Sequence, residues 1–175
     1  MLPDGNLIFT DYSKHRLVVS ETGGKHLFEV SVKPHYVFDV TCISDKTVAV
    51  TTGLYSPSGI NIIDITSRQI LKLIAKENPC FGITSVNGSL VYCVVGEEIE
   101  MMDVSIGQTL IVIKCETPSR SYIASYNYKL YYTNHSNNTV TCCDMKGNTI
   151  WTFKEETVLH SPSSITVDKD GHVYV

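Results

Sequence analysis

The residues best suited to chemistry are spread along the chain as aromatic, imidazole and cationic side chains. They are Tyr12, Lys14, His15, Arg16, His35, Tyr36, Tyr55, Arg120, Tyr122, His135 and His160. Tyr and Arg supply large, amphipathic contact area, and they tend to carry the energy of protein and peptide contacts. Hydrolytic chemistry needs a different pattern. No G-x-S-x-G nucleophile elbow and no H-E-x-x-H occur in the sequence, so neither an activated serine nor a zinc-bound water is indicated. No glycine-rich phosphate loop is present, and Gly23-Gly24 reads as a hairpin turn.

The six cysteines, at positions 42, 80, 93, 115, 142 and 143, form no C-x-x-C, which argues against a zinc finger or knuckle. Cys42, Cys93, Cys142 and Cys143 fall inside strand patterns, where cysteine serves as a small buried hydrophobe. They are expected to be free thiols, and a reducing, cytoplasmic setting is expected with them. No metal and no cofactor are expected. The formal charge is −4 and the densest cationic run is Lys14-His15-Arg16. A nucleic-acid backbone is held by many cationic contacts, so a protein or peptide is the expected partner, with RNA as the alternative. No apolar run approaches the roughly 18 residues of a membrane span, no signal peptide is read at Met1-Leu-Pro-Asp-Gly, and neither a membrane nor a small-molecule substrate is expected. Asn87-Gly-Ser, Asn134-His-Ser and Asn137-Asn-Thr fit the glycosylation sequon but read as turns.

The elements that position these residues follow from a repeat. Val40-Thr41, Ile83-Thr84, Ile123-Ala124 and Ile165-Thr166 each precede a polar turn and then an apolar strand, at spacings of 43, 40 and 42 residues. Asp64, Asp103 and Asp144 recur at spacings of 39 and 41, each ending a strand and opening a turn. They are expected to cap those turns rather than to bind a metal. The plainest unit is Tyr128–Lys154, three strands joined by Asn134–Asn138 and Asp144–Asn148. Such a meander cannot bury its own apolar face.

A period near 40 residues holding four short strands is the mark of a β-propeller blade. With strands a to d running from the inside outwards, the sequence predicts a at Val37–Cys42, Phe81–Val86, Tyr122–Tyr126 and Ser164–Asp168. Strand b is predicted at Leu7–Thr10, Thr47–Thr51, Leu90–Val94, Leu130–Thr133 and His172–Val175. Strand c falls at Arg16–Ser20, Gly59–Asp64, Glu98–Asp103 and Asn138–Cys143, and d at His26–Val30, Arg68–Ile74, Gln108–Lys114 and Thr149–Phe153. The predicted fold class is all-β, a partial, open propeller of four-stranded antiparallel blades. Its divisions are a broken blade at about 1–33, blades at about 34–76, 77–117 and 118–159, and the start of another at about 160–175. A ring opened within a blade leaves strand edges bare, so the sequence is expected to be a piece of a longer protein.

The run Leu2-Pro-Asp-Gly-Asn-Leu-Ile-Phe-Thr-Asp-Tyr-Ser-Lys-His-Arg-Leu-Val-Val resembles the NHL repeat, with Lys14 where that repeat usually carries Asn. Ser163–Val175 resembles the start of another such unit. The stretch Asn137–Lys154 resembles the propeller region of invertebrate, notably molluscan, tripartite-motif-like proteins. In those a RING or B-box zinc module and a coiled coil precede a C-terminal NHL-type propeller. The resemblance implies a six-bladed type of ring and a non-catalytic binding module, whose parent could be a RING-type ubiquitin ligase. It also brings in the calcium-dependent lactonases built on six-bladed propellers. These line the central channel with carboxylates and Asn, whereas the matching strand-a positions here are Asp39, Gly82, Tyr122 and Ser164. One acidic residue is a poor calcium cage, and catalysis is not expected.

In a propeller the b–c loops and the d–a loops share one rim, held rigidly by the sheets. The eleven residues named at the outset lie on those loops or at the strand ends beside them.

Overall fold

The computed structural model describes residues 1–53, 57–114 and 117–175. Tyr55 and Cys115 lie outside the described residues. Seventeen strands, and no helix, are formed by the described residues. The chain falls into two compact units, Met1–Cys80 and Phe81–Val175.

In the first unit, β1 (Leu7–Asp11), β2 (Arg16–Ser20) and β3 (His26–Ser31) make a three-stranded sheet. β4 (Val37–Cys42), β5 (Thr47–Thr52), β6 (Ser58–Asp64) and β7 (Gln69–Lys76) make a four-stranded one. The second unit holds two four-stranded sheets and a hairpin. The first sheet is β8 (Cys80–Val86), β9 (Ser89–Val94), β10 (Ile99–Asp103) and β11 (Thr109–Ile113). The second is β12 (Ile123–Tyr126), β13 (Lys129–Asn134), β14 (Thr139–Asp144) and β15 (Thr149–Phe153), followed by the hairpin β16 (Thr166–Val167) and β17 (Val173–Tyr174). Every pairing is antiparallel and joins neighbours in sequence. This is the predicted all-β architecture, strand for strand. The outer-strand pairings also carry a bulge, at Val19/Ser20, Ile62/Ile63, Ile99/Glu100 and Cys142/Cys143, which sharpens the twist of each sheet.

Burial explains why the sequence alternates poorly in the middle strands. β5, β9 and β14 are buried on both faces over most of their length, as strands packed between two neighbours must be. The outer strands are mostly exposed. In the first unit Leu17, Val19, Val30, Val37, Val48 and Val50 share one core. In the second, Val91, Cys93, Ile99 and Ile113 pack with Ile123, Leu130 and Cys143 of the following sheet. Single sheets thus gain their apolar contacts from the next one. The outer strand shows the effect directly. Val30 pairs with Leu17 and is 0% exposed, and Ile113 pairs with Ile99 and is 7% exposed. Phe153 holds the matching place opposite Val140 but is 47% exposed, with the two-stranded hairpin β16–β17 next in order among the described residues. With Trp151, Leu159, Val173 and Val175 it lines an apolar groove of about 300 Å³. Trp151 also meets Tyr131, two strands inward, in a tilted contact at 6.0 Å between ring centroids.

The turns are built by Asx side chains. Asp64 Oδ1 accepts the amides of Thr66 and Ser67, and Asp103 Oδ1 those of Ser105 and Ile106. Asp144 Oδ1 accepts the amides of Lys146 and Asn148. The predicted capping role of these three aspartates therefore holds. Asp11 and Asn134 do the same on the b–c side, accepting the amides of Lys14 and Asn137. Five-residue turns then end on a left-handed residue, His15 (φ 54°) and Asn138 (φ 54°) after Asp11 and Asn134, Arg68 (φ 60°) after Asp64. The five described cysteines are free thiols, four of them buried.

Candidate functional site

The turn that ends at His15 determines where the first unit's chemistry sits. Because His15 adopts the left-handed conformation, the chain doubles back into β2 and Arg16 starts the strand. The carbonyl of His15 then accepts the Val32 amide at 2.8 Å, which ties this turn to the Ser31–Tyr36 loop. The two loops bring their rings together. His15 lies 4.1 Å from Tyr36 between ring centroids, Tyr12 lies 4.8 Å from Tyr36, and Tyr12 lies 5.2 Å from Phe38. All three pairs are tilted, the arrangement that aromatic quadrupoles favour over face-to-face stacking. Tyr12 keeps 38% of its surface exposed.

Two histidines are oriented by backbone carbonyls. His15 Nδ1 lies 3.0 Å from the His35 carbonyl oxygen, and His35 Nδ1 lies 3.4 Å from that of Pro57. A carbonyl only accepts, so Nδ1 carries the proton in both and Nε2 is the acceptor of the neutral ring.

Arg16 is committed to the protein itself. Its Nε donates to Asp11 Oδ2 at 2.9 Å and its Nη1 lies 2.5 Å from Glu29 Oε1. The Arg16 guanidinium, with Ser13 and the Lys14 amide, holds the Asp11 carboxyl below the usual carboxylate range. The hydrogen bonds Arg16 donates to the Asp11 and Glu29 carboxylates raise its own pKa in turn. Arg16 was expected among the rim contact residues, and in the structure its guanidinium braces Asp11 and Glu29 across the neighbouring segments. Ser13, Lys14, His15 and Arg16, with Glu29, Ser31 and Lys33 of the neighbouring segment, line an open groove of about 660 Å³. Lys14 and Lys33 are exposed.

Six of the predicted rim residues, Tyr12, Lys14, His15, Arg16, His35 and Tyr36, are thus gathered in the first unit. In the second unit the amide of Tyr122 donates to Thr133 Oγ1, and its carbonyl accepts the Thr133 amide. Tyr122 is half-buried at the start of strand a. Arg120 (φ 64°) sits exposed in the preceding turn. His135 is half-buried in the Asn134–Asn138 turn, and His160 is exposed beside Ser161, whose amide donates to Asn138 Oδ1. No ring or ion-pair contact joins Arg120, His135 and His160 to one another among the described residues.

Asp39 sits at a bulge in β4, where the register slips between Val37 and Val40. Its Oδ1 accepts the Val40 amide at 2.8 Å, so the carboxylate is turned onto its own backbone. A group that sequence reasoning missed is Asp168, Asp170 and His172, whose ligand atoms lie within 4.8 Å of one another. It is a turn cap. Asp168 Oδ1 accepts the amides of Asp170 and His172, and Oδ2 takes His172 Nδ1 and the Tyr174 hydroxyl. Partial desolvation would raise the Asp168 pKa, but these bonds outweigh it and hold the carboxyl far below its ordinary value.

No family model matches this chain, and no curated protein matches it. Solved structures do. A structural genomics protein of unknown function from Bacteroides thetaiotaomicron is 11% identical, with a TM-score of 0.79, over 99% of this chain and 50% of its own. The WD40 β-propeller domain of Doa1 is 15% identical, with a TM-score of 0.78, over 98% of this chain and 57% of that one. The glutaminyl cyclase of Myxococcus xanthus is 11% identical, with a TM-score of 0.67, over 97% of this chain and 80% of the enzyme. The chain spans about half the length of the first of these. At such identities the likeness speaks for the fold alone: four-stranded antiparallel sheets in sequence order, matching part of a propeller.

Proposed function

We propose that this chain is a non-catalytic interaction module that binds a protein or peptide on the rim of its first unit. One observation carries the reading: the ring cluster of Tyr12, His15, Tyr36 and Phe38 stands beside an open groove and leaves Tyr12 exposed. Clustered aromatics at a rigid loop base are the usual anchors of an interface. The finer assignment rests on the NHL-like runs at Leu2–Val19 and Ser163–Val175. On it, the chain is the NHL-type propeller region of a cytoplasmic tripartite-motif-like protein, and any ubiquitin ligase activity belongs to a zinc module elsewhere in the parent.

The test is site-directed photocrosslinking in cells. A photoreactive amino acid is placed at Tyr12 in one variant and at Lys72, exposed on the outer strand β7, in another. A discrete protein adduct at position 12 and none at 72 is the expected result. Equal labelling at both positions would remove the rim assignment. Adducts to RNA at position 12 would replace the protein reading with the nucleic-acid one.

A further inference from the structure

Taking the first unit's rim as the binding surface, we infer that its groove selects an acidic linear peptide, held by Lys14 and Lys33 from the two neighbouring segments that line it. The charges set the preference. Glu29 and Arg16 also line the groove, but they are paired to each other at 2.5 Å, and Asp11 takes the second edge of the guanidinium at 2.9 Å. That network of one guanidinium and two carboxylates keeps a single net negative charge, against the two positive charges of Lys14 and Lys33. Lys14 and Lys33 are the remaining cations of the groove, and neither ammonium is within ion-pair distance of a carboxylate among the described residues. A ligand carboxylate therefore meets two unspent positive charges.

The walls add direction. His15 lines the groove with Nδ1 spent on the His35 carbonyl, so its Nε2 can accept a backbone amide of the ligand. Next to it the exposed ring of Tyr12, braced by Tyr36, offers a flat face for a proline or aromatic side chain. The space of about 660 Å³ suits a short extended segment and not a folded surface. RNA is the weaker fit. Two unpaired lysines on a chain of net charge −4 are far fewer cations than a phosphate backbone engages.

The experiment is fluorescence anisotropy with three labelled peptides of equal length, alternating Pro and Tyr with Glu, Gln or Lys, and with a labelled oligouridylate. The Glu peptide is expected to bind best, and more weakly as salt rises. The Lys14→Glu/Lys33→Glu double variant should lose about fivefold to tenfold in affinity for it, as for two exposed ion pairs. Lys129→Glu, a cation in the second unit, should bind as the unsubstituted chain does. Circular dichroism checks that the double variant keeps its strands.

Equal affinity for the Glu and Gln peptides, or no loss in the double variant, overturns the acidic selection. If Tyr12→Ala/Tyr36→Ala still abolishes binding in that case, the rim remains a peptide surface. Tighter binding of the oligouridylate than of the Glu peptide replaces the peptide with RNA. Failure of all four probes to bind overturns the acidic groove, and photocrosslinking at Tyr12 then decides separately whether the rim binds any protein.

Discussion

The imidazole of His15 leans on the ring of Tyr36 with centroids 4.1 Å apart and planes tilted by 57°. The two residues come from different loops, and a tilted ring pair adds roughly 0.5–1.5 kcal/mol beyond the area it buries. A double-mutant cycle on His15→Ala and Tyr36→Ala, followed by urea denaturation, should return a coupling energy of that size. A coupling near zero would mean that the two loops hold their places without the rings.

Gly82 is expected to tolerate no side chain. A Cβ built there would lie 2.4 Å from the Tyr122 Cα and 2.6 Å from the Ile123 amide nitrogen. The Gly82 amide donates to the Ser121 carbonyl at 2.9 Å, so the two innermost strands of the second unit approach by their backbones. Gly82→Ala should cost about 1–3 kcal/mol, the range for overpacking a filled site. Gly23→Ala, with nothing within 4 Å of its Cβ position, should stay within about 0.5 kcal/mol. Equal thermal midpoints for the two variants would refute the close approach.

Ile113 and Phe153 hold matching places in successive outer strands, yet one is 7% exposed and the other 47%. Ile113→Ala should therefore cost about 2–5 kcal/mol, as deletion of a buried aliphatic group does. Phe153→Ala should cost less, about 1–2 kcal/mol, because much of its ring already meets water. Chemical denaturation of both variants checks the order, which would be reversed if the last sheet were covered in solution.

Acid should weaken the turns together. A side-chain bond from Ser105 lowers the Asp103 pKa, one from Asn148 lowers that of Asp144, and the Ser67 amide lowers that of Asp64. Each folded-state pKa lies below the unfolded value of about 3.9. The stabilisation is thus complete above that value and is lost as pH falls through the folded pKa values. Thermal midpoints should be flat from neutral pH down to about pH 4–5 and drop below it. The triple variant Asp64→Asn, Asp103→Asn, Asp144→Asn keeps an acceptor oxygen but no titrating group, so its drop should be shallower. An unchanged drop would place the acid sensitivity elsewhere.

Strand order was readable from the sequence because each strand is bounded by residues with one local job. Asp64, Asp103 and Asp144 end a strand and cap the next turn through amides two to four residues on, and nothing distant is needed to see it. The site was less legible. Arg16 looks like an available cation in the sequence, but its pairing with Glu29 depends on the register of β2 against β3, which places Arg16 opposite Ser31 and Val18 opposite Glu29. The local apolar pattern does not report that register across a bulge. Asp39 stood out in the sequence as the acidic strand-a position, but its turn onto the Val40 amide follows from the bulge in β4, which leaves no sequence signal of its own. The turn after Ile165-Thr166 was legible but its Asp168 cap was not, because His172 and Tyr174 read as strand residues and the hairpin brings their polar tips onto one oxygen.

Among the described residues every sheet is threaded in sequence order, with no strand entering from afar. The chain can therefore close its hairpins a few residues at a time, at a small entropic cost for each closure. Ordering can start in either unit and spread sheet by sheet, so a lesion such as Gly82→Ala should slow one region's acquisition of structure and leave hairpins elsewhere free to form.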